Sequence, residues 1–347
     1  MQFTTSTIFP RDKYSMKLVE KLLEQENIKR DANLDFTIGL FHDDELVATG
    51  SSYKNTLRCF AVDSKYQGYA LMNTLVTELL NRQNDLGYDN TFVYTKRETG
   101  KFFEDLGFYP IGETERLVFL ENKKGRFADY LKKLQTESPT PNSDARITSI
   151  VMNANPFTLG HLYLVEKAAS ENDLLHLFMV SDDSSLIPFS VRKKLILEGT
   201  EHLNNIIYHE TSSYMISQSI FPSYFIKEEN DIILEQANLD IQIFLQIAKA
   251  LGIRSRYIGS EPFSRVTNLY NQVMQEKLPP DVQVHLIERK SENDLAISAS
   301  KVRELIQNNR LDEIKNLVPK STYDFFTSSD AEEIIRKIQA EKDVVHY

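Results

Sequence analysis

The stretch Ile147-Thr-Ser-Ile-Val-Met-Asn-Ala-Asn-Pro-Phe-Thr-Leu-Gly-His161, followed by Leu162-Tyr-Leu-Val-Glu-Lys-Ala-Ala-Ser-Glu171, decides the fold of the longer half of this chain. Ile147, Ile150, Val151 and Met152 make a short apolar run of the kind a buried strand needs. From Leu162 onward Val165, Ala168 and Ala169 recur at helical spacing. Between the two lies Thr158-Leu-Gly-His161. Pro156 ends the strand, and Gly160 lets a ligand approach the backbone with no Cβ in the way. The first amides of the following helix lack intrahelical partners and point, with the positive end of the dipole, at any anion placed there. Thr158 adds a hydroxyl and His161 a proton-bearing nitrogen. Alone, this turn is more simply a capped helix start with a packed histidine.

A second helix start, Ile297-Ser-Ala-Ser-Lys-Val-Arg303, lies near the other end of the same half. Ser298 and Ser300 are good N-cap residues ahead of Val302, Leu305 and Ile306, and Arg303 adds a guanidinium suited to phosphate. An ordinary capped helix is again the simpler account of this segment taken singly.

The flanking pattern places both starts in one sheet. Leu174–Val180, Ile206–His209, Arg256–Glu261 and Val282–Ile287 read as strands, alternating with helices over Ser190–Thr200 and Leu239–Leu251. This alternation predicts a parallel sheet with ligands beyond the carboxyl ends of its strands, where Thr158, His161, Gly259, Ser260, Glu261 and Ser298 all fall. Arg192 and Lys193 are read either as a solvated face or as phosphate contacts. His176, His202 and His209 are read as structural. The aromatic run Tyr214–Ile226 is read as a packed loop or the lining of a small acceptor pocket.

The other half begins with a helix over Tyr14–Glu26 and two strands within Asp35–Tyr53. Then come a strand at Leu57–Val62, a helix over Gly68–Gln83, a strand at Asn90–Tyr94 and a short helix ending at Gly107. Gln135–Asp144, with two prolines and no large apolar residue, reads as a linker. The expected division is therefore 1–135, a linker at 136–145, a nucleotide domain at 146–325 and a C-terminal helix at 326–347.

Composition narrows the function. The 347 residues exceed the usual size of one domain, and 20 Phe and 16 Tyr within a 41% apolar content suffice for packed cores. A formal charge of −10 argues against a nucleic-acid partner, whose binding surface would be basic. The single cysteine, Cys59, excludes an internal disulfide and reads as a buried structural thiol. With neither a signal pattern at the amino terminus nor an apolar run of membrane length, the chain is expected to be cytoplasmic.

The paired starts resemble the signature of the nucleotidyltransferase superfamily that carries (His/Thr)-x-Gly-His and Ile-Ser-x-Ser/Thr-x-x-Arg, with Thr158 in the first place. The resemblance implies that His161 and Thr158 act at the α-phosphate of ATP and that Ser298, Ser300 and Arg303 take the β- and γ-phosphates. The implied ATP site comprises Asn153, Pro156, Phe157, Thr158, Gly160, His161, Gly259, Ser260, Glu261, Ile297, Ser298, Ser300 and Arg303, without a protein-held metal and with Mg²⁺ bridging phosphates. Phe60–Ala70 and Phe103–Tyr109 resemble the GNAT acetyltransferase domain, an α+β fold. In its pyrophosphate turn Ala70 and Met72 stand where small positions are expected, so crowding of coenzyme A is expected there. The fold class is thus α/β: a GNAT-like α+β domain followed by a Rossmann-like parallel sheet.

Both halves together, with Asn153–His161, Phe221-Pro-Ser-Tyr-Phe225 and Ile258-Gly-Ser-Glu-Pro262, resemble the citrate lyase ligase family. That resemblance implies an AMP-forming acid–thiol ligase. Its substrates would be ATP, acetate and the citrate lyase acyl carrier subunit with its dephospho-coenzyme A-derived thiol. Two alternatives stay open: a nucleotidyltransferase acting on a pantetheine- or nicotinamide-type phosphate, and a non-catalytic carrier-binding regulator.

Overall fold

The computed structural model describes residues 1–139, 142–215, 221, 229–261, 264–288, 291–292 and 295–341. The elements over the first 136 residues are β1 Thr4–Thr7, α1 Lys13–Gln25, β2 Phe36–His42, β3 Glu45–Tyr53, β4 Thr56–Val62, α2 Leu71–Asp85, β5 Phe92–Lys96, α3 Arg97–Asp105, β6 Tyr109–Glu113, β7 Leu117–Glu121 and α4 Arg126–Thr136. Their seven strands form one mixed sheet in the order β1-β2-β3-β4-β5-β7-β6. Only β4 and β5 pair in parallel, through Thr56 opposite Phe92 and Leu57 opposite Val93.

Cys59 explains a break in this sheet's alternation. It lies on β4 at φ 52, where the β3–β4 register slips between Thr49 and Ser51. The extra residue reverses which face each side chain takes. Leu57 and Phe60 accordingly join the core under α2, while Cys59 and Ala61 join the core under α1. Burial pushes the Cys59 thiol up to about 12, so it is an inert packing group, as its apolar surroundings imply.

The elements of the remainder are β8 Ile147–Met152, α5 Leu159–Glu171, β9 Leu174–Met179, α6 Phe189–Gly199, β10 Ile206–Glu210, α7 Glu229–Leu251, β11 Ser255–Gly259, α8 Arg265–Lys277, β12 Gln283–Ile287, β13 Ser291–Glu292, β14 Leu295–Ala296, α9 Ala299–Gln307, α10 Lys320–Phe326 and α11 Glu332–Ala340. Five strands make a parallel sheet in the order β10-β9-β8-β11-β12. The order runs outward from β8 to one side and from β11 to the other. The loops after these two strands therefore open at the switch point where such sheets hold ligands. The small β13–β14 hairpin was not expected from the sequence.

The compact units depart from the expected division. One comprises Met1–Asp129 with Ile216–Gln242, the other Tyr130–Met215 with Ile243–Tyr347. Local chemistry explains both shifts. In the first unit Arg116 pairs with Asp231 at 2.9 Å and Thr114 donates to Glu235 at 2.6 Å, which holds the first half of α7. In the second unit Tyr130 Oη donates to the Glu210 carbonyl and Gln135 to the Ala250 carbonyl, so α4 divides before the expected linker. The expected separate C-terminal helix is corrected too. Phe325, Phe326, Ile334 and Ile338 pack in one core with Val302, Leu305 and Ile306, making α10 and α11 integral to the second unit.

Several sequence readings fall outside the described residues. They are most of Tyr214–Ile226, Pro262, positions 140–141 of the linker and 342–347 of the C-terminal segment. Among the described residues no helix is long and apolar enough to cross a membrane.

Candidate nucleotide site

The site begins where β8 ends. Ala154 takes a left-handed conformation at φ 50, a strained state for a residue with a Cβ and one that clusters at functional loops. Phe157 is fully buried beneath the turn. Its ring meets α6 where Gly199 leaves room: a Cβ there would lie 2.6 Å from the Phe157 ring. Gly199 thus seats the loop on the adjacent helix.

Thr158 is the N-cap of α5, and it and His161 satisfy each other. The His161 amide donates to Thr158 Oγ1 at 3.3 Å, and the Thr158 amide donates to His161 Nδ1 at 3.1 Å. This is a capping box with imidazole in the place usually taken by Glu or Gln. An Nδ1 that accepts a hydrogen bond carries no proton, so the neutral ring carries it on Nε2. The ring also stacks on Phe157, with centroids 5.9 Å apart and planes 13° from parallel. Two independent contacts therefore fix the ring's orientation.

The second helix start meets the first. Gly160 faces the Ile297 carbonyl, and a Cβ at position 160 would lie 3.1 Å from that oxygen. Ser298 caps α9 by accepting from the Lys301 amide at 3.1 Å. Arg303, buried to 4% exposure, donates from Nη1 to the Asn155 carbonyl at 2.5 Å and from Nη2 to Ser300 Oγ at 3.2 Å. The Leu159 amide donates to the Leu317 carbonyl at 2.9 Å. Thr158, Gly160, His161, Ile297, Ser298, Ser300 and Arg303 thus form one cluster.

The other expected residues are placed as follows. Gly259 ends β11 and Ser260 and Glu261 follow it; β11 pairs with β8 through Thr148 opposite Ser255. The Ser260 amide donates to the Ile287 carbonyl, and Glu261 Oε1 accepts from the Ser264 amide at 3.2 Å, at the start of α8. Asn153 Nδ2 donates to Ser185 Oγ at 3.0 Å. A cavity of about 460 Å³ opens beside Ser185, lined also by Asp183, Ser184, Leu186, Pro188 and Lys337; neither Thr158 nor His161 forms its wall.

Neither sequence reading of Arg192 describes its surroundings. It is 1% exposed, not solvated, and its guanidinium donates to oxygens of the chain itself. Burial lowers its pKa, with the charges of Asp183 and Asp182 opposing. Lys193 is on the surface, its Nζ 2.7 Å from Glu210 Oε1.

Asn155 escaped sequence reasoning. Its Oδ1 accepts from the Ile187 amide at 3.2 Å, its carbonyl takes Arg303, and its buried Nδ2 has no partner among the described residues. The signal available was its place before Pro156 at the end of an apolar strand.

Comparison with known proteins fits this geometry. The family model for the citrate lyase ligase C-terminal domain matches residues 147–326. A [citrate [pro-3S]-lyase] ligase of Escherichia coli (strain K12) is 37% identical over 91% of this chain and 92% of its own length. The corresponding enzyme of Klebsiella pneumoniae is 36% identical over 91% and 93%, and that of Haemophilus influenzae 35% identical over 89% and 94%. Among solved structures, Escherichia coli ElaA covers 35% of this chain and 100% of its own at 15% identity, with a TM-score of 0.31. An acyl-CoA N-acyltransferase from Pseudomonas aeruginosa covers 35% and 99% at 14% identity, with a TM-score of 0.30. With full-length relatives well above 30% identity and a family model spanning the site, the chain belongs to the citrate lyase ligase family.

Proposed function

We propose that this chain is an AMP-forming acid–thiol ligase. In this reading it joins acetate to the prosthetic-group thiol of the citrate lyase acyl carrier subunit, using ATP. An acetate oxygen attacks the α-phosphorus, the bond to the bridging oxygen breaks, and pyrophosphate leaves. The carrier thiolate then attacks the acetyl carbonyl and AMP departs. The first displacement demands positioning and charge stabilisation more than covalent catalysis. His161 Nε2–H donates to a non-bridging α-phosphate oxygen as charge grows there. Thr158 holds the ring in the tautomer that leaves this proton available. Ser298, Ser300, Arg303 and the first amides of α9 receive the pyrophosphate. Asn153, Pro156, Phe157, Gly259, Ser260 and Glu261 shape the nucleotide pocket.

The observation that carries this reading is the approach of Gly160 to the Ile297 carbonyl, which places two anion-receptive helix starts against one another. Mg²⁺ would be held by the phosphates of the nucleotide. When bound, the ion supplies charge neutralisation on the leaving group.

The test is acetate-dependent exchange of labelled pyrophosphate into ATP. Exchange that requires acetate supports the ligase. Exchange that ignores acetate but requires a phosphorylated metabolite would replace it with a nucleotidyltransferase. The amino-terminal unit is the proposed dock for the carrier's prosthetic arm. The full chain should bind holo carrier more tightly than apo carrier, and equal affinity would refute that assignment.

A further inference from the structure

Among the described residues no carboxylate bonds the buried Arg192, an expensive way to place a cation in a protein interior. Its guanidinium instead satisfies five oxygens. Nε donates to the Ile187 carbonyl at 3.0 Å. Nη1 donates to the Asn153 carbonyl at 2.9 Å, to Asn153 Oδ1 at 2.8 Å and to the Val180 carbonyl at 2.7 Å. Nη2 donates to the Asp182 carbonyl at 2.6 Å. These acceptors belong to two segments: the residue after β8, and the loop from β9 to α6. Both lie on the rim that carries the candidate nucleotide site.

Were the task only to fill the interior, an apolar side chain would do it at lower cost. A planar fork with donors in fixed directions does something an apolar group cannot: it sets several carbonyls in one geometry. The oriented Asn153 amide is a direct consequence, with Oδ1 on Arg192 and Nδ2 on Ser185. Two residues further on, the Asn155 carbonyl is held by Arg303. The loop leading into Thr158 is thus gripped by one arginine from α6 and another from α9.

We propose that Arg192 is a positioning residue for phosphoryl transfer, fixing the 153–158 loop so that Thr158 and His161 meet the α-phosphate in reactive register. This rests on the reading of the Thr158–His161 turn as the nucleotide site. Arg192 does not touch the nucleotide; it acts through Asn153 and the loop backbone.

The test uses the full-length chain carrying Arg192→Lys, Arg192→Ala or, as a comparator of general destabilisation, Ile247→Val, a fully buried site on α7. Hydrogen exchange of the 153–158 amides, measured without nucleotide, reads the clamp independently of turnover. Arg192→Lys should speed it at least about tenfold relative to wild type, while the amides of β12 keep their rates. In acetate-dependent pyrophosphate exchange, Arg192→Lys should lower kcat about 100-fold with the KM for ATP nearly unchanged, because a loop misplaced by a fraction of a bond length loses reactive geometry before it loses binding. Added methylguanidinium should recover part of the Arg192→Ala loss and leave Ile247→Val as it was. Wild-type loop exchange rates together with wild-type kcat in Arg192→Lys would overturn the proposal. A wild-type chain inactive with acetate, but with loop exchange accelerated in Arg192→Lys, would instead overturn the ligase reading and leave the clamp standing.

Discussion

The chain contains two strand–turn–helix junctions of the sort that receive phosphates, one at the start of α2 and one at the start of α5, and they are built differently. At α2 the N-cap position is Ala70, at φ 55, with no side-chain cap. Gly68 stands in open space at φ 93. At α5 the cap is reciprocal between Thr158 and His161, and the glycine is pressed against the backbone of a second helix start. The first junction leaves its amides to whatever arrives. The second surrounds them with side chains whose hydrogen bonds are already assigned, which is what charge stabilisation in a transition state requires. The contrast teaches that two turns of similar shape can differ in how far the side chains around them are locked, and the proposed catalytic role goes to the locked one.

The largest effect should come from the second junction's imidazole. His161→Ala should reduce acetate-dependent exchange about 10³-fold, the scale of losing one aimed donor, while the lost cap costs about 1 kcal/mol by thermal unfolding. A loss below tenfold would make the two junctions alike and break the comparison.

Gly160→Ala comes next. Its Cβ would press on the Ile297 carbonyl, so activity should fall about 10- to 100-fold as the helix starts are pushed apart. Gly68→Ala is its counterpart at the other junction. It should lower stability by about 1 kcal/mol through its left-handed backbone and leave pyrophosphate exchange untouched. Ser298→Ala should cost about 1 kcal/mol as a lost cap, with activity falling further than a stability-matched core variant.

The smallest effect separates the units by acid. His176 Nδ1 and His209 Nε2 lie 2.8 Å apart in the second unit. Burial lowers His176 to about 4 and, with the neighbouring His176 and Lys133 charges, lowers His209 to about 3. Both are neutral when folded, whereas in the unfolded chain they protonate near 6.5. Their contribution is complete above pH 6.5 and declines as the pH falls toward 4, because the unfolded state then binds more protons. Thermal melts across this window should show the decline, and a His176→Leu/His209→Phe double variant should flatten it.

How much of this was legible in the sequence follows from how local each feature is. The β8–α5 junction was readable because an apolar run, a proline, a cap residue and a glycine lie within a few positions. Convergence on Ile297 was readable only through family resemblance, since nothing local relates residues so distant in the chain. Arg192 was misread because the run Arg192-Lys-Lys194 looks like a solvated helix face, while its actual partners are oxygens of two separate loops, after β8 and between β9 and α6. Met72, expected to crowd the α2 junction, is partly buried and packs against the core of its own unit. The first half of α7 joins the first unit through Thr114 and Arg116 meeting Glu235 and Asp231. Polar pairs between segments so distant in the chain leave no periodic trace.

The approach of Gly160 to Ile297 has a consequence for how such sequences change over time. A side chain can be admitted at 160 only if the chain path at 297 recedes, so substitutions at the two places should show epistasis. Double substitutions pairing a larger residue at 160 with a relaxed backbone around 297 should survive selections that eliminate the single change. Positions remote in the gene would then drift together, as a record of one interatomic distance.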